Sequence, residues 1–253
     1  MHGLPNSAHA LVTGGGRGIG RAIASELARA GATVTVLGCH RATLNETVAA
    51  GFAHFAVVAD VADQAAVDAA VAEAAARQPI TILVANAGAA ESAPFAKSDV
   101  LLFRRMIDVN LMGVVHAVQA VLPAMKARRS GRIVAVASTA GLKGYAYVSA
   151  YSAAKHAVVG LVRSLALELA NTGVTVNAVC PGFTDTDLVA GSIETIMRKT
   201  GRSHAEAVAE LALHNPMGRL VTPAEVADSV RWLCGEGASA ITGQAIAVAG
   251  GEI

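Results

Sequence analysis

Short apolar runs alternate with longer amphipathic stretches along almost the whole chain. The apolar runs are continuous in Val, Ile, Leu and Ala, without a polar residue at every second position, which is the pattern of strands buried on both faces of a parallel sheet. Between them, apolar residues recur at helical spacing. The predicted strands lie at 8–13, 32–38, 53–59, 80–85, 131–138, 173–180 and 244–248, and the predicted helices at 18–30, 63–77, 98–126, 149–170 and 223–235.

This alternation predicts right-handed crossovers and a doubly wound α/β fold, with seven parallel strands and helices on both faces of the sheet. A length of 253 residues fits a single domain spanning residues 1–253. One segment breaks the alternation. Residues 183–216 are polar and helix-prone, and they are inserted between the sixth strand and the last helix.

Composition excludes several classes of protein. Hydrophobic residues make up 53% of the chain and the net charge is +1, which argues against broad electrostatic binding to nucleic acid. No apolar stretch approaches the roughly 18 residues that span a membrane. The three cysteines form no disulfide pattern and the first strand starts within about ten residues, so we expect a cytoplasmic protein without a signal peptide. The eight histidines are scattered, and we expect no metal site.

A glycine-rich turn joins the first predicted strand to the first predicted helix. Gly14, Gly18 and Gly20 follow the apolar run, and helical periodicity starts at Arg21. A strand, a glycine turn and a helix N-terminus together present backbone N–H groups and the helix dipole to a phosphate. Gly14 permits the tight turn, Gly18 lets the backbone approach a pyrophosphate, and Gly20 lets the helix pack close to the strand. We therefore predict a dinucleotide site, with a plain structural turn as the alternative.

Three polar side chains predict a proton-transfer site. Tyr151 and Lys155 are spaced i, i+4 in a helical stretch, so both project from one face. A phenol titrates near pH ~10, and an ammonium a few ångströms away favours the phenolate and pulls that pKa towards neutral pH. Ser138 ends the fifth predicted strand, where its hydroxyl can hold a carbonyl oxygen while Tyr151 protonates it. The alternative is an exposed helical Tyr–Lys pair without a chemical role.

The end of the second predicted strand distinguishes NADP from NAD. An acidic side chain there holds the ribose 2′-hydroxyl of NAD and repels the 2′-phosphate of NADP. In this chain the strand ends at Gly38 without an acid, and His40 and Arg41 follow. Arg17 in the glycine turn, with His40 or Arg41, can pair with a 2′-phosphate. We predict NADP(H) as the preferred cofactor, with NAD(H) as the alternative.

The order and spacing of these motifs resemble those of the short-chain dehydrogenase/reductase family over almost the whole chain. The resemblance implies a Rossmann-type fold in which 183–216 forms a small helical substrate lid; a surface excursion without a role is the alternative. The family motifs are matched by 13–20, Asn86-Ala87-Gly88, Asn110, Ser138, Tyr151 with Lys155, and 181–186.

The resemblance also implies roles in hydride transfer between a nicotinamide and a carbonyl or secondary alcohol. Tyr151 is expected to move the proton, Ser138 to position the oxygen, and Lys155 to lower the Tyr151 pKa and bind the nicotinamide ribose. Asn110 is expected to hold a water that links Lys155 to solvent. Adenine is expected at 60–61 and the carboxamide at 184–186. The expected cofactor-binding residues are Gly14, Gly16, Arg17, Gly18, Ile19, Gly20, Gly38, His40, Arg41, Asp60, Val61, Asn86, Ala87, Gly88, Tyr151, Lys155, Pro181, Gly182, Thr184 and Thr186.

Within the family, the chain resembles 3-oxoacyl reductases and 3-hydroxyacyl-CoA dehydrogenases, which implies a thioester substrate. Basic residues at 198–202 in the lid suit the phosphates of coenzyme A, although ordinary solvated charges are the alternative. A second basic group at 126–132 resembles the patch with which relatives dock acyl carrier protein. Those relatives often add an arginine before the sixth strand, where this chain has Asn-Thr-Gly at 171–173. Coenzyme A is therefore favoured over the carrier protein.

Two other functions stay open at this point. One is reduction or oxidation of a free cyclic or aromatic ketone or alcohol. The other is a dinucleotide-binding sensor without turnover, against which the complete set of Asn110, Ser138, Tyr151 and Lys155 argues. The resemblance further implies a homo-oligomer, dimer or tetramer, that acts on a small molecule. From the net charge and the lack of a long apolar stretch, we expect no nucleic-acid or membrane partner.

Overall fold

One parallel sheet organises the computed structural model, which describes residues 3–253. The strands are β1 (His9–Thr13), β2 (Thr33–Gly38), β3 (Phe55–Val58), β4 (Ile82–Ala85), β5 (Gly131–Val136), β6 (Val174–Pro181) and β7 (Ala245–Val248). They lie in the order β3-β2-β1-β4-β5-β6-β7, and each neighbouring pair is parallel. The predicted seven-stranded doubly wound sheet is confirmed.

Helices connect the strands and cover the sheet. Within the described residues they are α1 (Gly18–Arg29), α2 (Arg41–Ala49), α3 (Gln64–Arg77), α4 (Val100–Ile107), α5 (Gly113–Arg128), α6 (Ser149–Leu169), α7 (Asp187–Thr200), α8 (His204–Ala212) and α9 (Pro223–Cys234). The sequence pattern does not predict α2. Only Leu44 and Thr47 of this helix are buried, so its apolar period is too weak to recognise.

The helices form a layer on each face of the sheet, because neighbouring residues of a strand point to opposite sides. Leu11 packs in a cluster with buried residues of α3, α5 and α6. Its neighbour Val12 packs in a second cluster with buried residues of α1, α2 and α9. Both clusters are rich in Val, Ile, Leu and Ala, as the continuous apolar strands predict.

The strand order creates a crevice between β1 and β4. From β1 the chain continues outward through β2 to β3, and it then returns to the other side of β1 and continues outward from β4 to β7. Open α/β sheets bind ligands at such a reversal, at the carboxyl ends of the strands. The glycine turn follows β1 and Asn86 follows β4, so both predicted motifs lie at this crevice.

Segment 183–216 is helical, as predicted, and contains α7 and α8. These two helices pack on each other through a small cluster of Val189, Ile193, Ala207 and Leu211. A parallel bridge between Thr184 and Val221 joins the start of the segment to the chain just after it. The segment is therefore a separate small layer that rises from the carboxyl end of β6.

The predicted helix at 98–126 corresponds to a continuous helical rod, Val100–Arg128, of 29 residues. A π-helical turn, Asp108–Met112, joins α4 to α5 within it. By length and composition this rod could cross a membrane, contrary to the expectation that no segment approaches that limit. It packs against α3 and α6 as the core helix of a globular protein does, so this is weak evidence for a membrane span.

Candidate active site

The crevice opens into a cleft of about 880 Å³. The glycine turn lines one part of it, and Ser138, Tyr151 and Lys155 line another. Of the residues expected to bind the cofactor, all except Arg41 line this cleft. Arg41 begins α2 with an exposed side chain, and the structure does not bring it to the cleft.

The glycines of the turn are required for different reasons. Gly14 and Gly18 have φ angles of +66° and +51°, which residues with a Cβ atom rarely adopt. A Cβ atom on Gly20 would lie 2.2 Å from the carbonyl oxygen of Gly14, so a side chain there would push α1 away from β1. Helix α1 begins at Gly18 without an acidic residue in its first turn, which leaves its positive dipole end available to a phosphate.

Thr13 and Asn86 fasten the two sides of the crevice together. The Thr13 hydroxyl oxygen accepts hydrogen bonds from the backbone N–H groups of Asn86 at 3.0 Å and Ala87 at 2.9 Å. The Asn86 side-chain amide donates to the Thr13 carbonyl oxygen at 2.9 Å. These bonds hold the segment after β4 against the glycine turn. Thr13 belongs to the predicted motif, but no signal in the sequence predicts this linking role.

Ser138, Tyr151 and Lys155 converge from two elements. Ser138 follows β5, and its Oγ accepts a hydrogen bond from the Ala140 N–H at 3.1 Å. Tyr151 and Lys155 lie on the first turns of α6, with the Lys155 ammonium 5.7 Å from the centroid of the Tyr151 ring. The same ammonium donates to the Val136 carbonyl oxygen at 2.9 Å. The lysine is thus held between the end of β5 and the tyrosine.

Burial dominates the titration of this group. It raises the pKa of Tyr151, and the Ser138 hydroxyl opposes that rise only in part. Burial also lowers the pKa of Lys155 to about 8. The expectation that Lys155 pulls the Tyr151 pKa towards neutral pH is therefore wrong for the protein alone, because the lysine is itself buried and its hydrogen bond goes to the backbone. At neutral pH the Tyr151 phenol keeps its proton and can donate it to a carbonyl oxygen.

Asn110 lies fully buried in the π-helical turn. Its side-chain amide donates to the carbonyl oxygens of Ala89 at 2.9 Å and Met106 at 3.0 Å, and its Oδ1 accepts from the Ala89 N–H at 3.3 Å. A Cβ atom on Gly88 would lie 2.7 Å from that oxygen and 3.6 Å from the Lys155 ammonium. Asn110 therefore positions the segment after β4 beside Lys155. A water relay through Asn110 stays a prediction.

The end of β2 lines the cleft with polar and small side chains. Gly38, Cys39, His40 and Thr43 lie along its wall together with Arg17. A Cβ atom on Gly16 would lie 2.6 Å from the Thr43 hydroxyl oxygen, so the glycine turn and the start of α2 are in close contact. Cys39 and Thr43 are not among the predicted site residues. A prediction of α2 would have indicated both, because a helix that starts at Arg41 faces the glycine turn.

The segment after β6 and the start of the lid also line the cleft. Thr186 packs against Gly18, whose Cβ atom would lie 3.4 Å from the threonine methyl group. The Thr184 hydroxyl donates to the Gly182 carbonyl oxygen at 2.9 Å, which shapes the turn into α7. Sequence reasoning also misses lid residues in the lining. They are Asp187, Leu188, Val189, Gly191, Ser192 and Thr195.

The basic residues expected to meet coenzyme A lie elsewhere. Arg198 and Lys199 are exposed in the last turn of α7, and Arg202 pairs with Glu210. None of these three lines the described cleft. The second basic group, at 126–132, lies at the amino end of β5, whereas Ser138 lies at the carboxyl end of the same strand. Within one chain, neither group faces the reacting residues.

Comparison with known proteins agrees with this geometry. The family model for short chain dehydrogenase matches residues 8–196. A Streptomyces coelicolor protein provisionally named as a ketoacyl reductase is 41% identical over 249 residues, with 96% of this chain and 95% of that protein covered. Cis-4-hydroxycyclohexanecarboxylate dehydrogenase of Sinomonas cyclohexanicum is 40% identical over 247 residues, with 96% and 95% covered.

A solved structure resembles the chain as a whole. The crystal structure of a variant of actinorhodin polyketide ketoreductase with NADPH has a TM-score of 0.92 and 40% sequence identity, and the match covers 99% of this chain and 98% of that one. The chain belongs to the short-chain dehydrogenase family and is an oxidoreductase that interconverts a carbonyl and an alcohol.

Proposed function

We propose that the protein is an NADP(H)-dependent ketoreductase that acts on a 3-oxoacyl thioester. The observation that supports this most is the single cleft shared by the glycine turn and by Ser138, Tyr151 and Lys155. The residues present fit a dinucleotide. The glycines of the turn have no side chains, so a pyrophosphate can reach the backbone N–H groups and the N-terminus of α1, which packs close to β1. When bound, the nicotinamide supplies the hydride for reduction or takes it in the reverse direction.

The protein's own residues handle the oxygen and its proton. Ser138 holds the carbonyl oxygen of the ketone by hydrogen bonding. Tyr151, whose pKa is raised by burial, donates its proton to that oxygen as the alcohol forms. The Lys155 ammonium, 5.7 Å from the centre of the Tyr151 ring, stabilises the phenolate that remains. When the cofactor is bound, Lys155 would also hold the nicotinamide ribose. At neutral pH the tyrosine is in the acid form that the reduction requires.

The preference for NADP(H) is supported by the wall at the end of β2. Gly38, Cys39 and His40 carry no carboxylate, and Arg17 faces the same part of the cleft. A 2′-phosphate there would meet a guanidinium and the N-terminus of α2, which has no acidic residue in its first turn. The test is kcat/KM for NADPH against NADH with one ketone, and equal or NADH-favouring values would contradict the proposal.

The thioester is supported by the names of two relatives, a ketoacyl reductase and a polyketide ketoreductase. Coenzyme A is proposed over acyl carrier protein because 171–173 lacks an arginine before β6. Oxidation of NADPH, followed at 340 nm with acetoacetyl-CoA and with the matching carrier-protein thioester, tests both statements. Turnover only with the carrier-bound substrate would favour acyl carrier protein over coenzyme A.

A free ring ketone is the second candidate. Tyr145, Phe183 and His214 form an aromatic group at the base of the lid, just outside the lining of the cleft, with ring centroids 5.3–5.9 Å apart. Planar or cyclic substrates pack well on such rings. The dehydrogenase of Sinomonas cyclohexanicum is named for a hydroxylated cyclohexane ring. Turnover of cyclic and aromatic ketones without turnover of acetoacetyl-CoA would favour this candidate.

We also propose that the chain is a cytoplasmic homo-oligomer, a dimer or a tetramer. Exposed apolar side chains on α4 and α6, including Val100, Leu101 and Leu167, support an assembly through these helices. Mass measurement by light scattering tests this, and a monomer at micromolar concentration would contradict it.

A further inference from the structure

We infer that Glu252 is a positioning residue for the substrate side of the active site and acts through Tyr145. Glu252 follows β7, far along the chain from the loop that it holds. The inference rests on the proposed carbonyl reduction, but it does not depend on which ketone is the substrate.

Glu252 makes two polar contacts with the loop between Ser138 and Tyr151. Its side chain is only 1% exposed, and its carboxylate lies 3.1 Å from the Lys143 ammonium. The Tyr145 hydroxyl donates a short hydrogen bond to the same carboxylate oxygen. The Lys143 ammonium also lies 5.1 Å from the centre of the Tyr145 ring. A single buried carboxylate thus fixes two side chains of this loop.

The direction of the hydrogen bonds follows from the chemistry of the partners. A carboxylate accepts only, so the one proton of the Tyr145 phenol goes to Glu252. The contact of 2.6 Å between the Tyr145 and Thr139 hydroxyls is then donated by Thr139. Thr139 directly follows Ser138, so the chain of bonds from Glu252 ends next to the residue that positions the substrate oxygen.

Tyr145 is a fixed donor rather than a second acid–base group. Burial raises the pKa of Tyr145, and the hydrogen bond to Glu252 raises it further. The nearby Tyr151 phenol adds a smaller rise in the same direction. Tyr145 therefore stays protonated wherever Tyr151 works, and its hydroxyl remains bonded to the carboxylate.

The second carboxylate oxygen of Glu252 connects this loop to the cofactor side of the site. It is buried and has no hydrogen-bond partner among the described residues. A Cβ atom on Gly182 would lie 3.0 Å from it, so the oxygen lies against the segment that lines the cleft after β6. Burying a carboxylate while one of its oxygens accepts no hydrogen bond costs free energy of folding. If the residue had only a structural role, an apolar side chain would stabilise the fold more.

The Tyr145 ring carries the effect of Glu252 to the lid. It meets the rings of Phe183 at 5.9 Å and His214 at 5.7 Å, both nearly edge-on. Phe183 precedes α7, and His214 follows α8. Holding the phenol in place therefore sets the position of an aromatic cluster built from the loop and both ends of the lid. The three rings lie outside the lining of the cleft, but Phe183 stands between Gly182 and Thr184, which both line it.

The test begins with Glu252→Gln, which keeps the size of the side chain and removes its charge. We expect KM for the ketone to rise about tenfold, because the charged hydrogen bond that holds Tyr145 in place is lost. The value of kcat should change less than about threefold, because Tyr151 and Lys155 are untouched. The dissociation constant for NADPH should stay the same. Tyr145→Phe should give the same pattern. Glu73→Gln, which removes an exposed carboxylate paired with Arg77 on α3, is the matched control and should leave all three constants unchanged.

A double variant decides whether Glu252 acts through Tyr145. If it does, adding Glu252→Gln to Tyr145→Phe should raise KM no further. Additive effects, or wild-type constants in Glu252→Gln, would overturn the inference. A lower Tm with unchanged KM and kcat would reduce Glu252 to a structural role and would overturn it as well.

A measurement without turnover separates this inference from the proposed function. In a pH titration of ¹³C-tyrosine followed by NMR, Glu252→Gln should lower the pKa of Tyr145, with Tyr145→Phe used to assign the signal. An unchanged pKa would show that the contact is not made. If no ketone supported NADPH oxidation by the wild-type protein, the proposed function would be contradicted. The titration would still show whether Glu252 contacts Tyr145.

Discussion

The nucleotide side and the substrate side of the cleft are built in different ways. On the nucleotide side, main-chain conformation and the absence of side chains do most of the work, as the positive φ of Gly18 and the 2.2 Å approach at Gly20 show. On the substrate side, side chains from distant segments are brought together, as in the contacts of Tyr145 with Glu252 and His214. The first kind of site leaves a short, ordered motif in the sequence. The second leaves a motif at Ser138, Tyr151 and Lys155 but none at Tyr145, His214 or Glu252.

The largest expected effect is at the proton donor, where the two sides meet. Tyr151→Phe should lower kcat by roughly 10²–10⁴-fold and leave the fold intact, because the substrate oxygen loses its acid. Circular dichroism and kcat with NADPH check both statements. Tyr147→Phe, at an exposed tyrosine in the loop just before α6, should retain wild-type turnover. Near-normal turnover in Tyr151→Phe would remove it from the mechanism.

The next effect tests the claim that backbone packing builds the nucleotide side. Gly20→Ala should cost about 1–3 kcal/mol of unfolding free energy, since its Cβ atom has no room beside Gly14, and it should weaken NADPH binding. Urea unfolding and a fluorescence titration measure these. Gly160→Ala in α6, where nothing lies within 4 Å of the added atom, should instead gain about 0.5–1 kcal/mol. Equal behaviour of the two variants would argue against the packing role.

The pH dependence tests the buried lysine. Burial lowers the pKa of Lys155 to about 8, so its charge is lost as the pH rises through that value. The Tyr151 pKa is raised, so the tyrosine stays protonated over this range. Hence kcat/KM for ketone reduction should fall above pH 8 and approach roughly a tenfold loss per pH unit. Lys155→Arg should remove the decline, because a guanidinium stays charged. A flat wild-type profile would show that the ammonium is not required.

A smaller effect separates two arginines that the sequence alone treats as equivalent. Arg17→Ser should lower the NADPH-to-NADH ratio of kcat/KM about tenfold, because Arg17 lines the cleft. Arg41→Ser should change the ratio less than about twofold, because its side chain is exposed and outside that lining. The reverse order would place the 2′-phosphate against α2 instead of the glycine turn.

The smallest effect concerns the lid charges. Replacing both Arg198 and Lys199 with serine should change KM for acetoacetyl-CoA less than about twofold, because both are exposed at the end of α7. Steady-state kinetics at low ionic strength gives the most sensitive measurement. A large rise in KM would show that the lid moves and brings these charges to the substrate.

The sequence predicts the nucleotide side almost completely. Continuous apolar strands and the glycine spacing after β1 are local features, and local features can be recognised in a single sequence. Helix α2 is missed because only two of its side chains are buried, and the assignment of Arg41 fails with it. The π-helical turn at Asn110 is missed because one additional residue in a turn leaves the apolar pattern of a long helix nearly unchanged.

The substrate side could not be predicted in the same way. The pKa of Tyr151 is raised by burial among residues far away in the chain, which the i, i+4 spacing to Lys155 does not reveal, and the contribution that lowers it comes from the Ser138 hydroxyl. Glu252 lies 107 residues from Tyr145 in sequence, and nothing in its neighbours marks it as a partner. Such contacts become visible only when the fold brings β7 and the lid to the loop before α6.

The strand order determines how coenzyme preference and substrate preference are divided along the chain. Because the chain finishes one side of the sheet before starting the other, the wall at the end of β2, which faces the 2′ position, comes from one continuous stretch that ends before β4. The catalytic residues and the lid come from the stretch that follows. The two stretches meet in the sheet along the single seam of β1 and β4. Coenzyme preference and substrate preference are therefore encoded in separate stretches of the chain. A recombinant with its crossover between β3 and β4 would exchange the coenzyme preference and leave the substrate preference unchanged.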